Sequence, residues 1–525
     1  MPRTNLVGNE MNKLLTSVYA IFITILVMLG WSIVSANSAQ SFSNTGNSHA
    51  NSVLVSSGSK KLSDYYQQKL DWSGCNNGFE CSTLVVPMDY AHIKTSPTLQ
   101  LSIIRLKSKT AVGSLILNPG GPGGSGIDYA RAAKYVVTSN LIKRYDIVGF
   151  DPRGVGLSTP VHCLTDSQTD TLIAADGTPD NQSEINSIAS LAKVFARGCA
   201  VKSDPTYRFV DTVSAARDID ILRSALGDQK LNWLGKSYGT FLGATYAKLF
   251  PTKVGRMVLD GAIDPRLSNQ KLSYGQALGF ENALHRFAAD CVKRSNCPLT
   301  GNSDMAFNQI VQFIDRMDAN PKKLSDGRTF TQAMAMTGIL GSLYDKVYGW
   351  PQLRKDLQAA LRGDYSGLVS SLDWYTSRGA DGKFTDNGND AIAAVNCLDR
   401  PDRATIAQTK NLARVWSSKA PVFGAYLAWS NVSCTYWPIP ATGKPETITA
   451  SGSPNILVVG TTNDPATPYP WAKALAAQLS KGLLLTLNGD GHTAYMQGSS
   501  CIDRIVDAYY VTGNATDGTT CNDAP

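Results

Sequence analysis

The sequence predicts an α/β fold: a mostly parallel central sheet with flanking helices, interrupted by a mainly helical insertion. Three observations predict it. Short, fully apolar runs of strand length alternate with longer segments of helical period, as crossovers between parallel strands require. A Gly-x-Ser-x-Gly turn, Gly235-Lys236-Ser237-Tyr238-Gly239, stands between one such strand and one such helix. From about Arg266 to Ser453 strand signals fade and helical ones dominate, after which apolar strands return.

The chain has 525 residues, 43% hydrophobic and 17% charged. That is the make-up of a globular protein able to bury a large core. Its net charge of +7 comes with no basic run interleaved with aromatics, so nucleic-acid binding has no support. Arg3 and Lys13 precede the apolar run Val18–Val34, and Val34-Ser35-Ala36 offers small residues to a signal peptidase. Residues 1–36 therefore read as an export signal and the mature protein as secreted or held at the cell surface. An uncleaved anchor is the alternative, although the run is at the short end for spanning a bilayer; with the signal cut, no stable membrane span is expected. Residues 37–61, rich in Ser, Asn and Gly, read as a flexible leader. The core is expected over 62–265 and 454–525, with a helical lid over 266–453.

Ten cysteines fit an oxidising compartment. Sequence leaves their connectivity open. Pairing of neighbours (Cys75 with Cys81, Cys163 with Cys199, Cys291 with Cys297, Cys397 with Cys434, Cys501 with Cys521) is simplest, because short loops cost least to close. No Cys-x-x-Cys and no histidine cluster accompanies them, so no metal site is predicted.

In chain order, Ser82–Val86 and Leu99–Leu106 read as strands, the second with period-two alternation. The apolar strand Ser114–Leu117 runs into Asn118–Gly126, whose five glycines and two prolines exclude a helix or strand interior. The prolines fix the loop's shape, and its bare backbone can approach a substrate and aim N–H groups at it. It lacks the Gly-Lys-Ser/Thr ending of a phosphate cradle. Tyr145–Phe150 is the next strand. Asp151 and Arg153 follow in a turn and read as structural groups beside the site. Asp211–Leu226 reads as a helix with Ala215, Ile219, Leu222 and Leu226 on one face and Gly227 as its stop.

The strand Leu231–Leu234, the turn and a helix ending before Pro251 come next, then the strand Arg256–Asp260. Lid helices are expected at Phe280–Cys291, Met305–Met317, Thr331–Leu343, Pro351–Arg362 and Ala391–Leu398. The sheet resumes with Ile456–Gly460 and Leu483–Leu487, and Cys501–Tyr510 closes the chain as a helix.

A Gly-x-Ser-x-Gly turn at a strand-to-helix corner holds its serine exposed above the sheet. Side chains at Gly235 and Gly239 would collide with the neighbouring strand and helix. Serine is a poor nucleophile at neutral pH and needs a base within hydrogen-bond reach, for which histidine is the default. Of five histidines, His49 lies in the leader, His92 and His162 precede the turn and His285 falls in the lid; only His492 follows the last strand, in a glycine-flanked loop. Asp464, at the carboxyl end of the preceding strand, can orient the imidazole. Asp490 is the rival, but two residues before His492 it is poorly placed to meet the ring. The catalytic set read from the residues is Ser237, Asp464 and His492, in the chain order Ser–Asp–His.

These residues, together with Pro119-Gly120-Gly121-Pro122-Gly123-Gly124, Gly149–Gly156, Gly235–Thr240, Leu259-Asp260-Gly261-Ala262, Asp464–Pro468 and Gly491-His492, resemble the α/β-hydrolase superfamily. More narrowly, the chain is similar to the secreted tripeptidyl-aminopeptidase-like branch of the prolyl-aminopeptidase family of serine peptidases. Prolyl aminopeptidases carry His-Gly-Gly-Pro-Gly; here Pro119 replaces the histidine, which favours the tripeptidyl branch. The resemblance implies a lid inserted after the sixth strand, peptide substrates and an acyl-enzyme mechanism without a metal or organic cofactor. It also implies an oxyanion hole from the backbone N–H groups of Tyr238 and Gly121. An aminopeptidase must also bind an α-amine; Asp399 in the lid is a candidate carboxylate, with an ordinary surface acid as the alternative. Two other functions fit the fold: an esterase or lipase-like acyl hydrolase, and a catalytically inactive binding protein.

Overall fold

A computed structural model of the chain describes residues 61–522. The expected export signal, and the expected leader apart from Lys61, lie outside the described residues. Ten strands form one sheet in the spatial order β1-β2-β3-β5-β4-β6-β7-β10-β11-β12. They are β1 (Ser73–Gly74), β2 (Phe79–Pro87), β3 (Thr98–Leu106), β4 (Ser114–Asn118), β5 (Asp146–Phe150), β6 (Leu231–Lys236) and β7 (Val254–Asp260), then β10 (Ile456–Asn463), β11 (Gly482–Asp490) and β12 (Thr519–Asn522). A separate hairpin, β8 (Lys322–Lys323) with β9 (Thr329–Phe330), lies within the insertion. From β5 to β12 every neighbouring pair is parallel; β1, β2 and β3 add an antiparallel edge.

The central strands are covered on both faces, which explains their unbroken apolar character. Ile116 and Trp233 point into one core with Leu242 and Met257. Their neighbours Leu117 and Leu234 point into the other, with Val258, Leu457, Leu485 and Tyr509. The chain leaves the sheet after β7 and returns at β10. Counted from β2, that is after the sixth strand.

The insertion has its own core, in which Phe280, Leu284, Phe287, Phe313, Ile339, Leu353 and Phe423 are buried together. Its first helix spans Asn269–Cys291, starting earlier than the expected Phe280. The other expected lid helices lie at Ser303–Ala319, Gln332–Leu343, Gly349–Ala360 and Gly388–Asp399. The sequence reading did not mark Gln182–Lys202, Ser366–Tyr375, Ile406–Ser417 or β12. All five neighbouring cysteine pairs are disulfides. No described helix is long and apolar enough to cross a membrane.

Candidate active site

The site is built where strands end. β6 ends at Lys236, and Ser237 turns the chain into the helix Tyr238–Leu249 with φ 55° and ψ −123°. A non-glycine residue in this region is strained and persists only where its surroundings fix it. They do so here through hydrogen bonds from the Ser237 N–H to the Asp260 carbonyl at 2.9 Å and from Thr240 Oγ1 to the Ser237 carbonyl at 2.6 Å. The flanking glycines are sterically required. A Cβ on Gly235 would sit 2.1 Å from the Gly239 carbonyl oxygen, and one on Gly239 would sit 2.7 Å from Asn118 Oδ1.

The glycine-rich loop after β4 packs directly on this corner. A Cβ on Gly120 would lie 2.9 Å from both Ser237 Cβ and the Tyr238 nitrogen. Asn118 Oδ1 accepts the Gly120 N–H at 3.1 Å, and the Gly120 carbonyl accepts the Gly124 N–H at 3.1 Å. On its other side the loop meets the lid: a Cβ on Gly123 would lie 3.1 Å from Gly388 and from Ala391 Cβ. Close backbone approach on both sides explains the glycine density. Asn387, just before that lid helix, accepts from the Gly156 N–H at 2.8 Å and donates to the carbonyls of Gly154 and Val161, both at 2.8 Å.

Asp464 and His492 are brought together. His492 Nδ1 lies 2.9 and 3.0 Å from the two carboxylate oxygens of Asp464. The carboxylate also accepts the N–H groups of Ala466, Thr467 and Thr493 at 2.9, 2.8 and 3.1 Å and the Thr467 hydroxyl at 2.9 Å. This cage satisfies a buried anion that would otherwise be costly. The imidazole reaches the end of β7 as well: a Cβ on Gly261, where φ is +69°, would lie 3.3 Å from His492 Cε1. The residue before it, Asp260, accepts the Ser237 N–H through its carbonyl, so the Ser237 corner and the imidazole both lie against one strand end.

Asp490, the rival acid, faces the lid. Arg286 donates to both its carboxylate oxygens, through Nη2 at 3.0 Å and through Nε, and Lys346 Nζ lies 3.2 Å away. Asp399 is not a surface acid. It is buried and accepts from the Thr212 N–H at 2.8 Å and the Thr212 hydroxyl at 2.6 Å, and Thr212 Oγ1 lies 2.6 Å from the Tyr238 hydroxyl. Burial pushes its carboxyl up to about 6. Asp151 and Arg153 have structural partners: Asp151 accepts from Ser125, Ile127 and Leu157, and Arg153 grips Asp218 with two bonds of 2.7 and 2.6 Å.

Three contributors escaped the sequence reading. Thr467 bonds Asp464, and Tyr344 packs its ring perpendicular to that of His492 with centroids 5.2 Å apart while its carbonyl accepts the His492 backbone N–H at 2.8 Å. The third is the pair Lys236 and Asp260, both buried beside Ser237. Burial pushes the Lys236 ammonium down and the Asp260 carboxyl up, and each charge counters the shift of the other.

Residues 420–521 match a family model described as TAP-like protein. The chain is 35% identical over 471 residues to serine protease Hip1 of Mycobacterium tuberculosis, covering 85% of this chain and 89% of that protein. It is 36% identical over 442 residues to carboxylesterase B of the same species, covering 82% and 84%. It is 32% identical over 461 residues to tripeptidyl aminopeptidase of Streptomyces coelicolor, covering 85% and 84%.

Proposed function

The chain belongs to the tripeptidyl-aminopeptidase-like family of α/β-hydrolases, and on that premise we propose that it is an exported serine exopeptidase removing short peptides from free N-termini. The observation that carries the serine-hydrolase part of this reading is the bidentate approach of Asp464 to His492 Nδ1 beside a strained Ser237, and the N-terminal specificity is supported by the similarity to a protein named tripeptidyl aminopeptidase. In the proposed mechanism Asp464 holds the imidazole with its Nδ1–H toward the carboxylate, leaving Nε2 to take the Ser237 proton. Ser237 Oγ attacks the scissile carbonyl and a tetrahedral oxyanion forms. The N–H groups of Tyr238 and Gly121 receive it; among the described residues neither donates to a protein acceptor. Such a donor contributes about 3–4 kcal/mol to transition-state stabilisation. His492 then protonates the leaving amine, the acyl-enzyme forms, and a water activated by His492 releases the acyl peptide. The five disulfides support export.

A matched pair of fluorogenic tripeptide amides, one with a free N-terminus and one acetylated, tests the reading with Ser237→Ala as the blank. Turnover of the free-amine peptide alone, abolished in Ser237→Ala, is the expected result. Equal turnover of both would remove amine recognition. Cleavage of simple esters with neither peptide turned over would favour an esterase, the reading supported by the similarity to a protein named carboxylesterase B.

A further inference from the structure

Lysine is almost never fully buried unless it is paired, and Lys236 is buried one residue before Ser237. Its ammonium donates to the Tyr495 carbonyl at 2.7 Å and to Thr493 Oγ1 at 3.4 Å, and lies 3.7 Å from Asp260 Oδ2. Asp260 reaches the same segment. Its carboxylate accepts the Ala494 N–H at 2.9 and 3.2 Å and the Tyr495 N–H at 3.0 Å. Lys236 and Asp260 are register partners at the carboxyl ends of β6 and β7. One residue pair therefore touches both halves of the chemistry. Lys236 leads into the nucleophile, the Asp260 carbonyl holds the Ser237 N–H at 2.9 Å, and both side chains grip the three residues that follow His492.

We propose that Lys236 and Asp260 are positioning residues that set the register between Ser237 and the loop carrying His492. The proposal rests on the reading of Ser237 as nucleophile and His492 as base. Hydrogen bonds to charged groups are shorter and stronger than neutral ones, and inside a protein they are little screened. A buried ion pair whose side chains end on Thr493, Ala494 and Tyr495, and whose backbone runs into or bonds Ser237, is suited to fixing how the two lie relative to each other. Other contacts tie the segment down without reaching the nucleophile: Thr461 Oγ1 donates to the Thr493 carbonyl at 3.0 Å, and Asp503 accepts the Met496 N–H at 2.8 Å. Among the described residues, the Lys236–Asp260 pair alone links the Ser237 corner to the segment after His492 by hydrogen bonds.

Lys236→Met removes the charge and donor at similar length, Asp260→Asn keeps the shape and one acceptor, and the double variant leaves no unpaired buried charge, so it is the one best suited to fold. Active sites are titrated with a fluorophosphonate, so unfolded molecules drop out of every rate. The expected result is a fall in kcat per titrated site of about 10- to 100-fold, the scale of a misplacement near 1 Å. KM should stay within about twofold, and the rate constant of fluorophosphonate labelling should fall with kcat. Unchanged kcat per site and labelling rate in whichever variants fold, alongside a lowered melting temperature, would overturn the proposal and leave the pair purely structural. Ser237→Ala runs in parallel: if it labels or turns over like the unaltered protein, the nucleophile reading itself fails, whatever the Lys236 and Asp260 variants do.

Discussion

The loop that carries His492 is gripped from two sides, and the grips differ in kind. Toward the sheet it is held by buried charge. Lys236 and Asp260 side chains are 8% and 0% exposed, and Asp464 beyond them is fully enclosed. Toward the lid it is held by Asp490, whose partners Arg286 and Lys346 are 43% and 37% exposed, and by Tyr344, through its carbonyl and a perpendicular ring contact. The Asp490 carboxylate is itself only 6% exposed, so the contrast lies in the cations: water reaches Arg286 and Lys346 but hardly reaches Lys236. On the proposed mechanism, the sheet side is the one suited to defining the imidazole's position.

The lid is nevertheless seated firmly against the same site. Its first helix brings Gly279 so close to the Pro465 carbonyl that a Cβ would lie 2.3 Å from the oxygen, and Gln276 donates to the Ala466 carbonyl at 3.1 Å. That helix thus packs on the turn presenting Asp464, so the acid is shared between sheet and lid.

The sharpest way to break the comparison is Asp464→Asn. It keeps the shape but can present an N–H to His492 Nδ1, favouring the wrong tautomer. A fall of about 10⁴-fold in kcat with little change in KM is expected from steady-state kinetics. A loss below about tenfold would mean that Asp464 does not set the tautomer.

A smaller effect belongs to the lid's own packing. Glu281, buried in the first lid helix, accepts the N–H groups of Val422 and Phe423 at 3.1 and 3.2 Å, and burial pushes its carboxyl from 4.5 up to about 7. Between those values the folded protein holds a proton that the unfolded chain has lost. The contribution of Glu281 to stability should therefore be fully present below about pH 4.5 and be lost as pH rises toward about 7, by an amount on the order of 3 kcal/mol at most. Glu281→Gln should flatten that slope in urea unfolding series; an unchanged slope would assign it to other groups.

The smallest effect is expected at the rim. Asp490→Asn removes the pairing with Arg286 and Lys346, both of which reach solvent. Stability should change by less than about 1 kcal/mol in thermal unfolding, and kcat by less than about fivefold. A loss as large as that expected for the Lys236 variants would erase the distinction between the two grips.

The same contrast separates what could be read in the sequence from what could not. Ser237, Tyr238 and Gly121, the expected nucleophile and oxyanion donors, sit in two local motifs that pack against each other through Gly120. Asp464 could be told from Asp490 because a strand end faces the loop and a residue two positions away does not. Lys236 and Asp260 were printed inside local motifs too, but their partners lie more than 230 residues on, and no local period encodes that contact. The first half of the lid helix was hidden for a physical reason. Gly275 and Gly279 lower the helix propensity of that half, and they admit Trp471 and Pro465, where a Cβ would lie 2.4 and 2.3 Å from its neighbour. The helix Gln182–Lys202 had a usable signal in the capping box of Asn181 and Glu184. β12 had none: four largely polar residues paired to β11 and tied by Cys501–Cys521 carry no strand pattern.

Reaction of the intact protein with a fluorophosphonate probe, followed by peptide mapping of the adduct, tests the nucleophile assignment most directly. A single adduct on Ser237, slowed in Asp464→Asn and absent in Ser237→Ala, is the predicted result. An adduct on a different serine, or undiminished labelling of Ser237→Ala, would contradict it.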